Sequence, residues 1–163
     1  MPCQKNTTCA AAYFDKGYTP YCRVIYMEKL REYAAVCTIG SVGYSAIEVL
    51  WRGFTHWTMA LAGGVGFLLL YLADLRMAGR SLVEKCAAGC ALLTSVEFVF
   101  GVVVNKLCRM HVWDYSRRKG NLLGQICPFY CLLWFLLCIP VMPFSSLVRE
   151  RLCPSRANSQ LAA

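Results

Sequence analysis

Two glutamates, Glu48 and Glu97, lie inside long apolar runs, Tyr33–Trp51 and Cys86–Asn105. An ionised carboxylate in hydrocarbon costs several kcal/mol unless it is paired, protonated or in contact with water. Their neighbours are arranged to matter. Cys90, Thr94, Glu97, Gly101 and Asn105 recur at helical spacing, one stripe of small and polar residues on an apolar helix. Ser41, Ser45, Glu48 and Arg52 do the same on the earlier run. Such stripes face the interior of a bundle, because lipid offers no hydrogen-bond partner. Glu48 and Arg52 are spaced i, i+4 and can pair within one helix. Glu97 has no cation within a helical turn, so its charge must be met by another helix or by a proton. That is the chemistry of a proton or cation relay. The plainer alternative is a carboxylate that hydrogen-bonds a neighbouring helix.

The elements that must position these residues are membrane-spanning helices. The chain has 163 residues, 58% hydrophobic and 16% charged, where soluble domains average roughly a quarter charged. Four apolar runs stand out: Tyr33–Trp51, Phe54–Ala73, Cys86–Asn105 and Leu122–Phe144. Each approaches the ~20 residues a spanning helix needs. The expectation is an all-α membrane protein with a four-helix transmembrane bundle. Three regions follow: an N-terminal segment 1–32, cytoplasmic or interfacial, the four-span domain 33–148, and a flexible tail 149–163. Thr19-Pro20 can cap a short interfacial helix, with Val24, Met27 and Leu30 on one face. Residues 1–31 lack the apolar core of a signal peptide. Asn6-Thr7-Thr8 fits a glycosylation sequon, at an end expected to be cytoplasmic.

Basic residues set the expected orientation. Eleven lie on the side of the two termini and the middle loop: Lys5, Lys16, Arg23, Lys29, Arg31, Arg76, Arg80, Lys85, Arg149, Arg151 and Arg156. The other six are Arg52, Lys106, Arg109, Arg117, Arg118 and Lys119. The positive-inside rule puts both termini in the cytoplasm. A net charge of +8 suits anionic headgroups, and no nucleic-acid motif accompanies it.

Eleven cysteines include the pairs Cys86/Cys90 and Cys127/Cys131, with Cys138 seven further on. With only His56 and His111 beside them, they lack the spacing of a metal site. They read as small residues that let helices pack closely. No cofactor motif is present. The second run contains Gly63-Gly64-Val65-Gly66, which reads as a close-packing surface.

The third loop runs His111-Val112-Trp113-Asp114-Tyr115-Ser116 and on to Asn121-Leu122-Leu123-Gly124-Gln125-Ile126-Cys127. Trp113 and Tyr115, with Trp57, suit interface anchors. Asp114 can accept from turn amides or pair with Arg52 or His56. Asn121 is expected to cap the fourth helix, with Gln125 one turn inside it and Pro128 within its first two turns. The fourth run carries no charge and reads as scaffold. Arg52 is expected to bridge Glu48 and a residue of the Trp113–Gln125 segment, Asp114 first. The candidate polar site is therefore Glu48, Arg52, His56, Glu97, Asn105, Asp114, Asn121 and Gln125. A faint repeat, Glu48 to Gly53 to His56 and Glu97 to Gly101 to Asn105, keeps open an arrangement of two parallel helical hairpins.

The segments Ile47-Glu48-Val49-Leu50-Trp51-Arg52-Gly53-Phe54-Thr55-His56-Trp57 with Gly63-Gly64, Val96-Glu97-Phe98, Trp113-Asp114-Tyr115-Ser116 and Asn121–Cys127 resemble a family of small bacterial membrane proteins, the type IV ABC-transporter permeases. The similarity covers roughly residues 39 to 138. Relatives often carry a proline and an aromatic before the asparagine, where this chain has Lys119 and Gly120, a more cationic and flexible loop. The resemblance implies a permease subunit in the inner membrane. No G-x-x-x-x-G-K-[ST] phosphate loop is present, so an ATP-driven version needs a separate ATPase subunit. Four helices are few for a pore, so a homo-oligomer or partner is expected. Two other classes stand beside this one. One is a structural or accessory subunit of a membrane assembly. The other is a membrane-embedded enzyme using Glu97, His56 and Asp114, against which stands the lack of any nucleophile-elbow, HExxH or zinc pattern.

Overall fold

The structure is a computed structural model. It describes residues 20–152, with side chains from residue 26. Thr19, the Asn6 sequon, the Val24 side chain and the tail from Cys153 lie outside the described residues. Four helices follow one another: α1 Pro20–Arg52, α2 Trp57–Arg76, α3 Leu82–Gly101 and α4 Pro128–Leu152. α3 runs directly into a π-helical segment, Val102–Leu107. Among the described residues all four are long and apolar enough to cross a membrane. The chain divides into two compact units, Met1–Ala34 and Ala35–Ala163; the site described below belongs to the second.

Several boundaries differ from expectation for identifiable reasons. The residues expected to form a separate short interfacial helix belong to α1, which is continuous from Pro20. Proline suits that first position, where its missing N–H is no loss. Asn121 does not cap the fourth helix and Gln125 is not within it. The backbone at Leu123 and Gly124 has positive φ, 52° and 69°, which a helix cannot continue through. α4 instead starts at Pro128, and runs to Leu152, past Phe144 and into the stretch expected as tail. Pro140 and Pro143 lie inside it, as spanning helices tolerate.

The other starts are capped locally. The His56 ring nitrogen Nδ1 accepts from the Thr58 amide at 3.3 Å, opening α2. Ser81 and Glu84 form a reciprocal capping box at the start of α3, at 3.3 and 3.1 Å. The core of the bundle joins Leu70, Cys86, Cys138 and Met142, so these thiols pack as small apolar groups. Cys90 donates to the Cys131 carbonyl and Thr94 to the Cys131 sulfur, tying α3 to α4. The glycine run of α2 is a packing surface against α1. A Cβ at Gly64 would lie 2.6 Å from Ser41 Oγ and 3.0 Å from the Cys37 carbonyl oxygen.

The two halves of the faint repeat differ locally. Gly53 sits at φ 79° just after α1 ends. Gly101 is helical, φ −60°, at the junction of α3 and its π turn. One stops a helix; the other permits a close approach within one.

Candidate functional site

Of the expected stripe on α3, Glu97, Gly101 and Asn105 are buried, while Cys90 and Thr94 are half-buried and turned toward Cys131 of α4. The π-helical segment carries Asn105 beyond the regular helix and closes with Cys108 N–H donating to the Val103 carbonyl at 2.9 Å. Such segments are uncommon and frequently sit at functional sites.

Asn105 organises the third loop. Its amide donates to the Trp113 carbonyl at 3.0 Å and to Gln125 Oε1 at 2.9 Å. Its oxygen accepts from the Val112 amide at 2.7 Å. Gln125 in turn donates to the Leu123 carbonyl, and its own carbonyl accepts from the Trp113 indole at 3.1 Å. Gly101 makes room for this knot: a Cβ there would lie 2.6 Å from Gln125 Oε1. Trp113 is 7% exposed, its indole hydrogen-bonded within the loop, and Tyr115 is half-buried. Trp57 remains exposed.

Asn121 closes the outer part of the same loop. It donates to the Ser116 and Arg118 carbonyls and accepts from the Gly124 amide. The Tyr115 amide donates to the Gly124 carbonyl at 2.8 Å. Asp114 accepts from the Ser116 amide and hydroxyl. Those two donors hold its carboxyl below the usual carboxylate range.

The expected Arg52–Asp114 bridge is therefore corrected. Arg52 donates to Glu48 Oε1 at 2.8 Å and to the Val112 carbonyl at 2.8 Å. The bridge from the first helix to the third loop exists, but a backbone carbonyl receives it, one residue before the expected segment. Asp114 instead accepts from Ser116 through Oδ1. Thr55 donates to the other Glu48 oxygen at 2.6 Å, so both carboxylate oxygens of Glu48 are met. His56 caps α2 and contacts Thr58 Oγ1 at 2.8 Å.

Glu97 has no such cation. Tyr115 donates its hydroxyl to Oε1 at 2.9 Å, and the Trp134 indole donates to Oε2 at 2.8 Å. Among the described residues no lysine, arginine or histidine nitrogen lies within ion-pair distance of it. Tyr115 stacks on Tyr130, ring centres 4.3 Å apart. Burial first, then the neighbouring Glu97 charge, pushes the Tyr115 phenol well above its ordinary range, so it remains a donor.

Two clefts of about 450 Å³ each meet at this point. The first is apolar and has Glu97 in its wall. The second is lined by Glu48, Arg52, Asp114, Tyr115 and Arg118. Tyr44, Trp113 and Trp134 belong to both.

A second polar cluster went unread in the sequence. Asp74, 3% exposed, accepts from Lys85 at 2.7 Å, from Ser146 at 2.9 Å and from Arg149 at 3.4 Å. It lies at the far end of α2 from His56, roughly 25 Å along the helix. The signal was an acid directly after an apolar run. Its partners, Lys85 on α3 and Ser146 and Arg149 on α4, had no sequence signature.

These features define a multi-pass α-helical membrane protein with a sealed polar loop over a buried, cation-free carboxylate. A family model described as "Putative ABC-transporter type IV" matches residues 33–160, and the chain belongs to that family. No curated protein and no solved structure matches it. It is thus a membrane protein of a transporter-related family.

Proposed function

We propose that the chain is the membrane-spanning permease subunit of a transporter in the cell inner membrane, with both termini in the cytoplasm. It performs no covalent chemistry of its own. It works with a separate ATPase subunit or as a homo-oligomer, since its sequence carries no nucleotide-binding motif and four helices are few for a path. The observation that carries this reading is Glu97: a carboxylate buried between helices, beside a cleft, held only by neutral donors. Intramembrane ionisable groups of that kind mark substrate and ion pathways. Family membership points the same way.

A second reading, an accessory subunit, draws on a different observation. Asn105, Gln125 and Trp113 satisfy one another, as a scaffold loop would. Purification of the full chain from its native membrane in mild detergent, with identification of what accompanies it, separates the two. Co-purification of an ATPase subunit is the expected result. Recovery inside a larger assembly that has no ATPase and no transport activity would replace the permease reading with the accessory one.

A further inference from the structure

The first cleft has an unusual charge balance. Among the described residues, Glu97 is the one charged residue in its wall, and it is 8% exposed. The rest is aliphatic, glycine or aromatic, including Tyr44, Phe67, Trp113 and Trp134. Tyr44 and Trp134 lie 5.9 Å apart, tilted by 38°. The volume, about 450 Å³, falls within the range of small-molecule sites. The two neutral donors from Tyr115 and Trp134 orient the carboxylate without cancelling its charge. Aromatic faces attract cations, and a carboxylate in a dry wall attracts them more strongly than it would in water.

We propose that this cleft binds hydrophobic monovalent organic cations, with Glu97 as the counter-ion and the aromatic wall enclosing the apolar body. As a substrate class, this rests on the permease reading; as a binding property, it does not. An acyl chain would fill the volume and leave Glu97 uncompensated. An anion would be repelled. The second cleft does not share the preference, because Arg52 and Arg118 line it together with Glu48 and Asp114.

The test uses the purified full chain in nanodiscs of zwitterionic lipid, with the signal of empty nanodiscs subtracted. Tetraphenylphosphonium and tetraphenylborate share a shape and differ in sign. The expected result is saturable phosphonium binding, with borate at least about tenfold weaker, as loss or reversal of a desolvated charge contact implies. Glu97→Gln should remove that discrimination. Gly43→Phe supplies a variant that does not depend on the carboxylate. Gly43 lines the cleft, and a Cβ there meets nothing within 4 Å, so the ring enters free space. It should abolish binding without lowering the melting temperature. Equal binding of both ions to the unaltered chain would overturn the proposal, as would no binding of either. So would full phosphonium affinity in Gly43→Phe. Absent binding together with a co-purifying ATPase removes the cation class and leaves the permease. Binding with no transport partner leaves the site and removes the ATP-driven permease.

Discussion

Asn105 and Gln125 meet side chain to side chain at 2.9 Å, twenty residues apart, both buried. One sits on the π-helical extension of α3, the other at the end of the third loop. Between them they fix where the loop lies above Glu97, because Tyr115 belongs to that loop. The cation-free state of Glu97 is thus a product of loop placement as much as of the helix stripe.

Asn105→Ala should therefore release the loop. It removes a donor from the Trp113 carbonyl and from Gln125, and an acceptor from the Val112 amide. Each buried group left unpaired costs roughly 1–3 kcal/mol, so a total loss of about 3 kcal/mol or more is expected. Amide hydrogen exchange in detergent should rise across residues 112–125 and stay low in α2. Uniform exchange in all segments would show that the knot does not govern the loop.

Arg52→Ala should cost about 2–3 kcal/mol. Glu48 is 5% exposed and loses its cation, while Arg52, 26% exposed, retains some contact with water. Arg52→Lys should recover only part of this, because an ammonium does not reproduce a planar fork spanning a carboxylate and a carbonyl. Asp114→Ala should leave the melting temperature nearly unchanged, because its hydrogen bonds to Ser116 lie on an exposed turn. The double change should be additive, since the two side chains share no contact. A coupling above about 0.5 kcal/mol in the thermal-melting cycle would contradict the geometry.

Glu97→Gln keeps the shape: its oxygen can still accept from the Trp134 indole and its amide can donate to the Tyr115 oxygen, but the Tyr115 hydroxyl proton then loses its acceptor. A loss of about 1–2 kcal/mol is expected, with insertion intact. Under the permease reading, transport per folded molecule should collapse far beyond that loss. Trp134→Phe should reproduce the stability change. If Glu97→Gln merely melts lower, with activity per folded molecule unchanged, Glu97 is a helix clamp and no more.

Orientation is checked separately. A reporter active only outside the membrane should work when fused at Gly120 and fail when fused at Ala163. The opposite pattern would place the Asn105 loop in the cytoplasm.

The helices and the inward stripe were legible because membrane helices are read from apolar length and polar spacing, and Glu97, Gly101 and Asn105 keep that spacing. The start of α4 was not. Leu122, Leu123, Ile126 and Cys127 are apolar enough to pass as helix, and only backbone geometry at Leu123 and Gly124 shows the loop. Pro128 was the available signal, since proline favours a first helical position. Trp134 was missed as a partner of Glu97 because an indole counts as apolar in a hydropathy reading while carrying a donor. Arg52 was correctly tied to Glu48 by spacing, but its second acceptor is a backbone carbonyl, which no residue type announces.

Asp74 carries the last prediction. It is 3% exposed and compensates Lys85 and Arg149, which are 18% and 16% exposed. Arg149 Nε is already buried with no hydrogen-bond partner, so the cluster has no spare acceptor. Removing the one carboxylate leaves two nearly buried cations on different helices, which are then pushed apart. Breaking such a pair costs about 3–5 kcal/mol. Asp74→Ala should therefore lower the melting temperature more than Glu97→Gln does, although Glu97 lies nearer the cleft. The damage should also be local. α4 near Ser146 and Arg149 should exchange amide hydrogens faster, while cation binding at Glu97, roughly 18 Å along α3 from Lys85, should persist in the fraction still folded. Asp74→Asn should restore little, because an amide hydrogen-bonds Ser146 but does not neutralise the cations. A fully stable Asp74→Ala protein would mean that water or headgroups already solvate Lys85 and Arg149, and that the cluster is not what holds α2 to α4.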